Sequence, residues 1–95
     1  MAAYVIAQVD IHDPETFKDY SSAVPATIKQ YGGKYHVRGG AVTPKEGSWN
    51  PKRVIVLEFP DMATAHRWYD SPEYQKIIGT RLKSSGGHLI FVEGV

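Results

Sequence analysis

The sequence predicts an α+β domain in which helices cover one face of a four-stranded antiparallel sheet. Three observations carry this. Strand-like and helix-like segments follow one another in the order β-α-β-β-α-β. The first and third strand segments are apolar on both faces instead of alternating cleanly. The helix segments open on capping signals that mark where each begins.

Residues 4–11 (YVIAQVDI) are rich in β-branched and apolar residues and read as the first strand. Val5, Ala7, Val9 and Ile11 make one face, wholly apolar. Tyr4 and Ile6, then the polar Gln8 and Asp10, make the other. His12-Asp13-Pro14-Glu15 is a helix start: Asp13 caps, Pro14 suits the first helical position, and Glu15 faces the positive end of the dipole. Phe17, Tyr20, Val24, Ile28 and Tyr31 then repeat at helical spacing, and Gly32-Gly33 ends the helix. Pro25 falls inside this pattern. It withholds the amide that the Ser21 carbonyl would accept, so it either curves the helix round the sheet or turns that carbonyl toward a pocket.

Residues 34–40 (KYHVRGG) read as a short second strand, with His36 and Arg38 on one face and Tyr35 and Val37 on the other. Residues 41–52 contain two prolines, a glycine and a lone Trp49, and read as a loop. Residues 53–59 (RVIVLEF) are the third strand. Val54, Val56 and Glu58 share one face; Ile55, Leu57 and Phe59 share the other. Pro60 stops it and Asp61 caps the next helix, where Ala65, Trp68 and Tyr69 form an apolar edge. Ser71-Pro72-Glu73 restarts the helix, predicting a broken helix over 62–70 and 72–83. Residues 84–87 read as a turn and 88–93 (HLIFVE) as the fourth strand.

This element order is that of the ferredoxin-like sandwich, a single domain over residues 1–95. Its helices cover only one sheet face, yet the central strands are apolar on both. A wet second face would expose more than the roughly few hundred Å² usual for a monomer. The expectation is a homodimer whose sheets pack face to face.

Composition narrows the function classes. With no cysteine, disulfides, thiolate metal sites and cysteine nucleophiles are excluded. Lys+Arg number 11 and Asp+Glu 10, a net charge of +1 with no like-charge block. That gives no concentrated basic surface for nucleic acid or a membrane. No apolar run is long enough to span a bilayer, and the first residues carry no basic or long apolar leader pattern, so the expected location is the cytoplasm.

The runs YGGKYHVRGG, EGSW and RVIVLEFPDMATAHRWYDSPEYQ together resemble the uncharacterised family catalogued as domain of unknown function number 1330. The resemblance covers essentially the whole chain. It implies membership of the dimeric α/β-barrel superfamily: a ferredoxin-like protomer, a dimer closing two sheets into a barrel, and a cavity between sheet and helices. Relatives in that superfamily include cofactorless monooxygenases, muconolactone-isomerase-type enzymes, chlorite-dismutase and haem-degrading proteins. The family has no settled activity, so no catalytic residues carry over, and a shared fold does not decide the chemistry.

The polar residues expected to face a cavity are Arg38, Glu58, His36 and His66, with Tyr20, Trp68, Tyr74 and Arg81 nearby on helices. Arg38 and Glu58 lie on neighbouring strands. If register puts them on one face they pair, either as a structural ion pair or as an anion-binding arginine beside a proton-moving carboxylate; a one-residue slip separates them. Arg38, Glu58 and His66 are the catalytic candidates. Tyr20, His36, Arg38, Glu58, Trp68, Tyr74 and Arg81 are the ligand-binding ones. The four histidines form no metal-binding spacing, and no phosphate loop, dinucleotide fingerprint or nucleophile elbow is present, so no metal and no cofactor are expected. The functional expectation is a dimeric barrel that binds a small aromatic or carboxylate molecule, with a cofactorless isomerase or monooxygenase reaction as one form. The alternatives are a non-catalytic homodimeric module anchored by Trp49, and a haem-handling protein.

Overall fold

A computed structural model describes the whole chain, residues 1–95. The elements are β1 (Ala3–Ile11), α1 (Pro14–Gln30), β2 (Lys34–Arg38), β3 (Val54–Phe59), α2 (Met62–Asp70), α3 (Pro72–Ser84) and β4 (Ser85–Glu93). The strands form one sheet in the order β2-β3-β1-β4, with every neighbouring pair antiparallel. This is the ferredoxin-like arrangement, with β1 and β3 at its centre.

The helix starts follow the capping chemistry. The Asp13 carboxylate accepts the Thr16 amide at 3.3 Å and the Thr16 hydroxyl at 2.7 Å. Asp61 accepts the Thr64 amide at 2.7 Å. Ser71 serves two helices at once. Its amide and hydroxyl donate to the Trp68 carbonyl at 3.2 and 2.7 Å, closing α2, while its hydroxyl oxygen accepts the Tyr74 amide at 3.1 Å, opening α3. Pro25 stays inside an unbroken α1, because packing of this helix against the sheet outweighs one lost backbone bond.

Some boundaries differ from the sequence expectation. Residues 84–87 are not a turn: α3 runs directly into β4, which starts at Ser85 and pairs Ser85, Gly86 and Gly87 with Ile11, Asp10 and Val9. The amides of His12 and Asp13 both donate to the Ser84 carbonyl at 3.1 Å, so the end of β1 supplies partners that glycine-rich residues would otherwise take from water. Gly87 has φ +140°, and a Cβ there would lie 1.9 Å from the Gln8 carbonyl oxygen. The glycine is what lets the two backbones meet. At the other sheet edge β2 ends at Arg38, before Gly39-Gly40.

The core lies between the sheet and the helices. Val5, Leu57 and Phe59 meet Val24, Ile28, Ala65, Trp68 and Tyr74, all buried. A smaller cluster of Ala7, Val9 and Phe17 extends it. The opposite sheet face is covered by no helix. The register aligns Tyr4 with Glu58 and Val92, and Ile6 with Val56 and Ile90, on that face. Ile90 is 54% exposed and Val92 40%. No helix is long and apolar enough to cross a membrane.

Candidate ligand cleft

A β-bulge in β2 decides which side chains reach the helix side of the sheet. Tyr35 pairs with Leu57, Val37 with Val56 and Arg38 with Ile55, so His36 is an extra residue between regular pairs. Alternation is thereby shifted by one. Tyr35 and Arg38, expected on opposite faces, both join the side of Leu57 and Ile55, and His36 is left on the open face. The pairing of Arg38 with Glu58, which the sequence left to the register, is not made. Glu58 instead binds His36, Oε1 to Nε2 at 2.6 Å, and lies 4.0 Å from Lys34 Nζ. The register already keeps Arg38 and Glu58 apart, since Glu58 lies opposite Lys34 at the other end of β2, and the bulge turns Arg38 to the other face.

On the helix side a cleft opens beside the smaller core cluster. Its volume open to the centre of a water-sized body is about 50 Å³. Its floor is Val5, Ala7, Val9, Ile55, Leu57 and Leu89 from the sheet. Phe17, Tyr20, Ser21, Val24 and Ile28 of α1 make one wall, with Tyr35, Trp68 and the arginines Arg38, Arg53 and Arg81 completing it. No Asp, Glu or His lines it.

The arginines are the unusual feature. The ion pairs of the chain are those of Glu58, so no carboxylate lies within salt-bridge distance of Arg38, Arg53 or Arg81. The Nε atoms of Arg53 and Arg81 are buried and have no hydrogen-bond partner. Such groups normally find an acceptor, and an unmet one is costly. Arg38 lies over the Tyr35 ring, 4.7 Å from its centroid, and Arg53 lies 6.0 Å from the centroid of Phe17. Arg53 also packs on Gly39, where φ is +71° and a Cβ would lie 2.4 Å from its Nη1. Only glycine accommodates both the turn and the guanidinium.

The aromatic wall is tied together by hydrogen bonds. The hydroxyls of Tyr20 and Tyr74 are 2.9 Å apart. Burial raises the Tyr20 pKa, with the Tyr74 hydroxyl adding to it and Arg81 opposing it. Burial likewise raises Tyr74 and Tyr35, with Arg38 and Arg53 opposing the rise at Tyr35. These tyrosines are neutral hydrogen-bonding groups, not phenolates. The Trp68 indole N–H donates to the Thr27 hydroxyl at 3.0 Å, and its ring lies 4.2 Å from that of Tyr74 and 5.3 Å from that of Phe59. Pro25 leaves the Ser21 carbonyl without its helical donor, and Ser21 borders the cleft.

Of the residues singled out in the sequence, Tyr20, Arg38, Trp68 and Arg81 line the cleft. Tyr74 is fully buried behind Tyr20. His36 and Glu58 belong to the opposite sheet face. His66 is exposed on α2, its ring 4.9 Å from that of Phe91. None of the four histidines borders the cleft, and no group of three or more metal-ligating side chains is assembled. Sequence reasoning missed Arg53, Tyr35 and Phe17. Arg53 was findable, because it has the parity of Ile55, Leu57 and Phe59. Tyr35 was not, because its pairing with Leu57 is a matter of register across a long loop.

Solved structures share this architecture. A protein of unknown function from Rhodopseudomonas palustris superposes with TM-score 0.76 at 15% identity, covering 99% of this chain and 82% of the other. A dimeric ferredoxin-like protein of unknown function from Jannaschia sp. CCS1 gives 0.69 at 12% identity, covering 100% and 99%. SnoaB, a cofactor-independent oxygenase from Streptomyces nogalater, gives 0.63 at 11% identity, covering 99% and 93%. At these identities the likeness is one of fold. No curated protein matches the chain in sequence. The model of the family described as "Domain of unknown function (DUF1330)" matches residues 2–95, and the chain belongs to that family.

Proposed function

We propose that this protein binds a small organic anion, an aromatic or conjugated carboxylate, in the cleft between the sheet and α1. The observation that carries the reading is the set of three arginines around an apolar cleft with no acidic partner, two of them with a buried, unpartnered Nε. Guanidinium groups suit planar oxyanions because their donors match carboxylate geometry. The apolar floor and the rings of Phe17, Tyr20, Tyr35 and Trp68 suit a flat hydrocarbon body. Such a site stabilises an enolate or phenolate electrostatically. With no carboxylate or imidazole at the cleft, no side chain there serves as a general base near neutral pH, and the neutral tyrosines offer only proton donors. That combination favours binding, or a reaction of the cofactor-independent class to which the structural neighbour SnoaB belongs, over a base-catalysed isomerisation.

Thermal shift and calorimetry with benzoate and salicylate test the reading. A ligand bound only by the native state at 100 times its Kd adds about 2.7 kcal/mol of stability. Stabilisation that is lost in Arg53→Gln supports the site. No shift with any aromatic carboxylate at millimolar concentration refutes it.

The same proposal includes a homodimer formed through the open sheet face. Its support is the uncovered apolar set Ile6, Val56, Ile90 and Val92, together with the dimeric state stated for the Jannaschia neighbour. Light scattering should give twice the 10.6 kDa chain mass, and Val56→Glu should give the single mass. A wild-type monomer at tens of micromolar, on the order of ordinary assay concentrations, would refute it.

A further inference from the structure

One monoanion would leave part of this cleft unsatisfied. We infer that the cleft holds two anion subsites on opposite sides, and that its ligand is a small planar dianion with acidic groups at both ends of an apolar body. The inference rests on the anion-binding reading above.

The positions of the arginines carry it. Arg38 comes from β2, one outer strand of the sheet. Arg81 comes from α3 and also borders a polar depression along β4, the other outer strand, lined by Gln8, Ser85 and His88. β2 and β4 are the outer strands, three interstrand spacings of about 4.8 Å apart; Arg38 enters from the β2 edge, whereas Arg81 enters from α3 on the side that borders β4. Arg53 belongs with Arg38, since its guanidinium packs on Gly39, the next residue in the chain. Between the two sides the floor is apolar, formed by Val9, Ile55 and Leu89.

A monoanion at either side leaves the opposite buried Nε without an acceptor. A dianion meets both demands with one rigid body. Its apolar middle lies on the floor, and its ordering cost is small because it has few rotors.

Isothermal titration with benzoate, isophthalate and terephthalate at neutral pH tests this. The expected result is that at least one diacid binds about tenfold or more tighter than benzoate, the gain from a second charge-assisted contact. Arg81→Gln, shown by urea unfolding to remain folded, should weaken that diacid by about tenfold or more and bring it to the variant's own affinity for benzoate. Benzoate binding with neither diacid tighter overturns the two-subsite inference and leaves the anion-binding reading standing. So does a diacid advantage that survives Arg81→Gln, as when benzoate and diacid weaken by the same factor in that folded variant. Failure of all three to bind the wild-type protein removes the anion-binding reading itself.

Discussion

Thr27→Val isolates one hydrogen bond of the aromatic wall that closes the cleft. The Trp68 indole N–H donates to the Thr27 hydroxyl at 3.0 Å, and that hydroxyl donates to the Val24 carbonyl at 2.8 Å. Trp68 is 1% exposed and Thr27 8%, so neither group has ready access to water. Valine keeps the shape of threonine and nearly its helix propensity, but removes the acceptor. The buried indole N–H is then unmet, which costs about 1–3 kcal/mol. Thr27→Ser keeps the acceptor and loses one methyl group, about 0.8 kcal/mol. Urea unfolding at one protein concentration reads both. With a slope of about 1–3 kcal/mol per molar for small proteins, the valine variant should lower the midpoint by on the order of 1 M without changing the slope. The serine variant should lie between it and wild type. A valine variant indistinguishable from wild type, or a serine variant less stable than the valine one, would refute the claim that this bond holds Trp68 in place.

Other outcomes follow from the same geometry. Gly39→Ala should weaken benzoate binding and lower stability together, because its Cβ would displace the Arg53 guanidinium and its φ is positive; calorimetry and urea unfolding read the two effects. Gly87→Ala should cost about 2 kcal/mol or more, since its Cβ collides with the Gln8 carbonyl oxygen. Gly79→Ala, in mid-α3 with nothing within 4 Å of the added atom, should gain about 0.5–1 kcal/mol. The same urea assay separates these opposite signs. Acid should destabilise the protein through its helix starts. The pKa values of Asp13 and Asp61 are lowered by their bonds from Thr16 and Thr64, and that of Glu73 by its bond from the Tyr31 hydroxyl. A lowered folded-state pKa contributes stability above the ordinary value, 3.8 for Asp and 4.5 for Glu, and that stability is lost as pH falls through the folded value. The melting temperature should therefore drop below about pH 4, and Glu73→Gln should flatten part of that drop. A melting temperature that rises on acidification through this range would contradict the assignment.

Local chemistry made much of this protein legible from its residues alone. Asp13, Asp61 and Ser71 announce three helix starts, and each makes the predicted cap. The break between α2 and α3 follows from Ser71-Pro72, where a cap and a first-position proline are adjacent. The element order implies that β1 and β3 form the sheet centre, and the observed strand order has them there. These features depend on neighbours within a few residues, so the sequence determines them.

What only the tertiary structure decided is the pairing of distant segments. The bulge at His36 arises where β2 meets β3 across a loop of more than a dozen residues, and nothing local marks it. It sends Arg38 into the cleft and leaves His36 with Glu58 on the far face, while the register sets Glu58 opposite Lys34, away from Arg38. The extension of β4 through Ser85–Gly87 depends on the end of β1 lying alongside, and glycines with no strand preference become strand because that partner is present. Arg53 and Arg81, far apart in the chain, become neighbours of one apolar cleft for the same reason. Propensity and capping act over a turn of chain, whereas register is settled by long-range contacts, and in this protein register determines which charges meet the cleft.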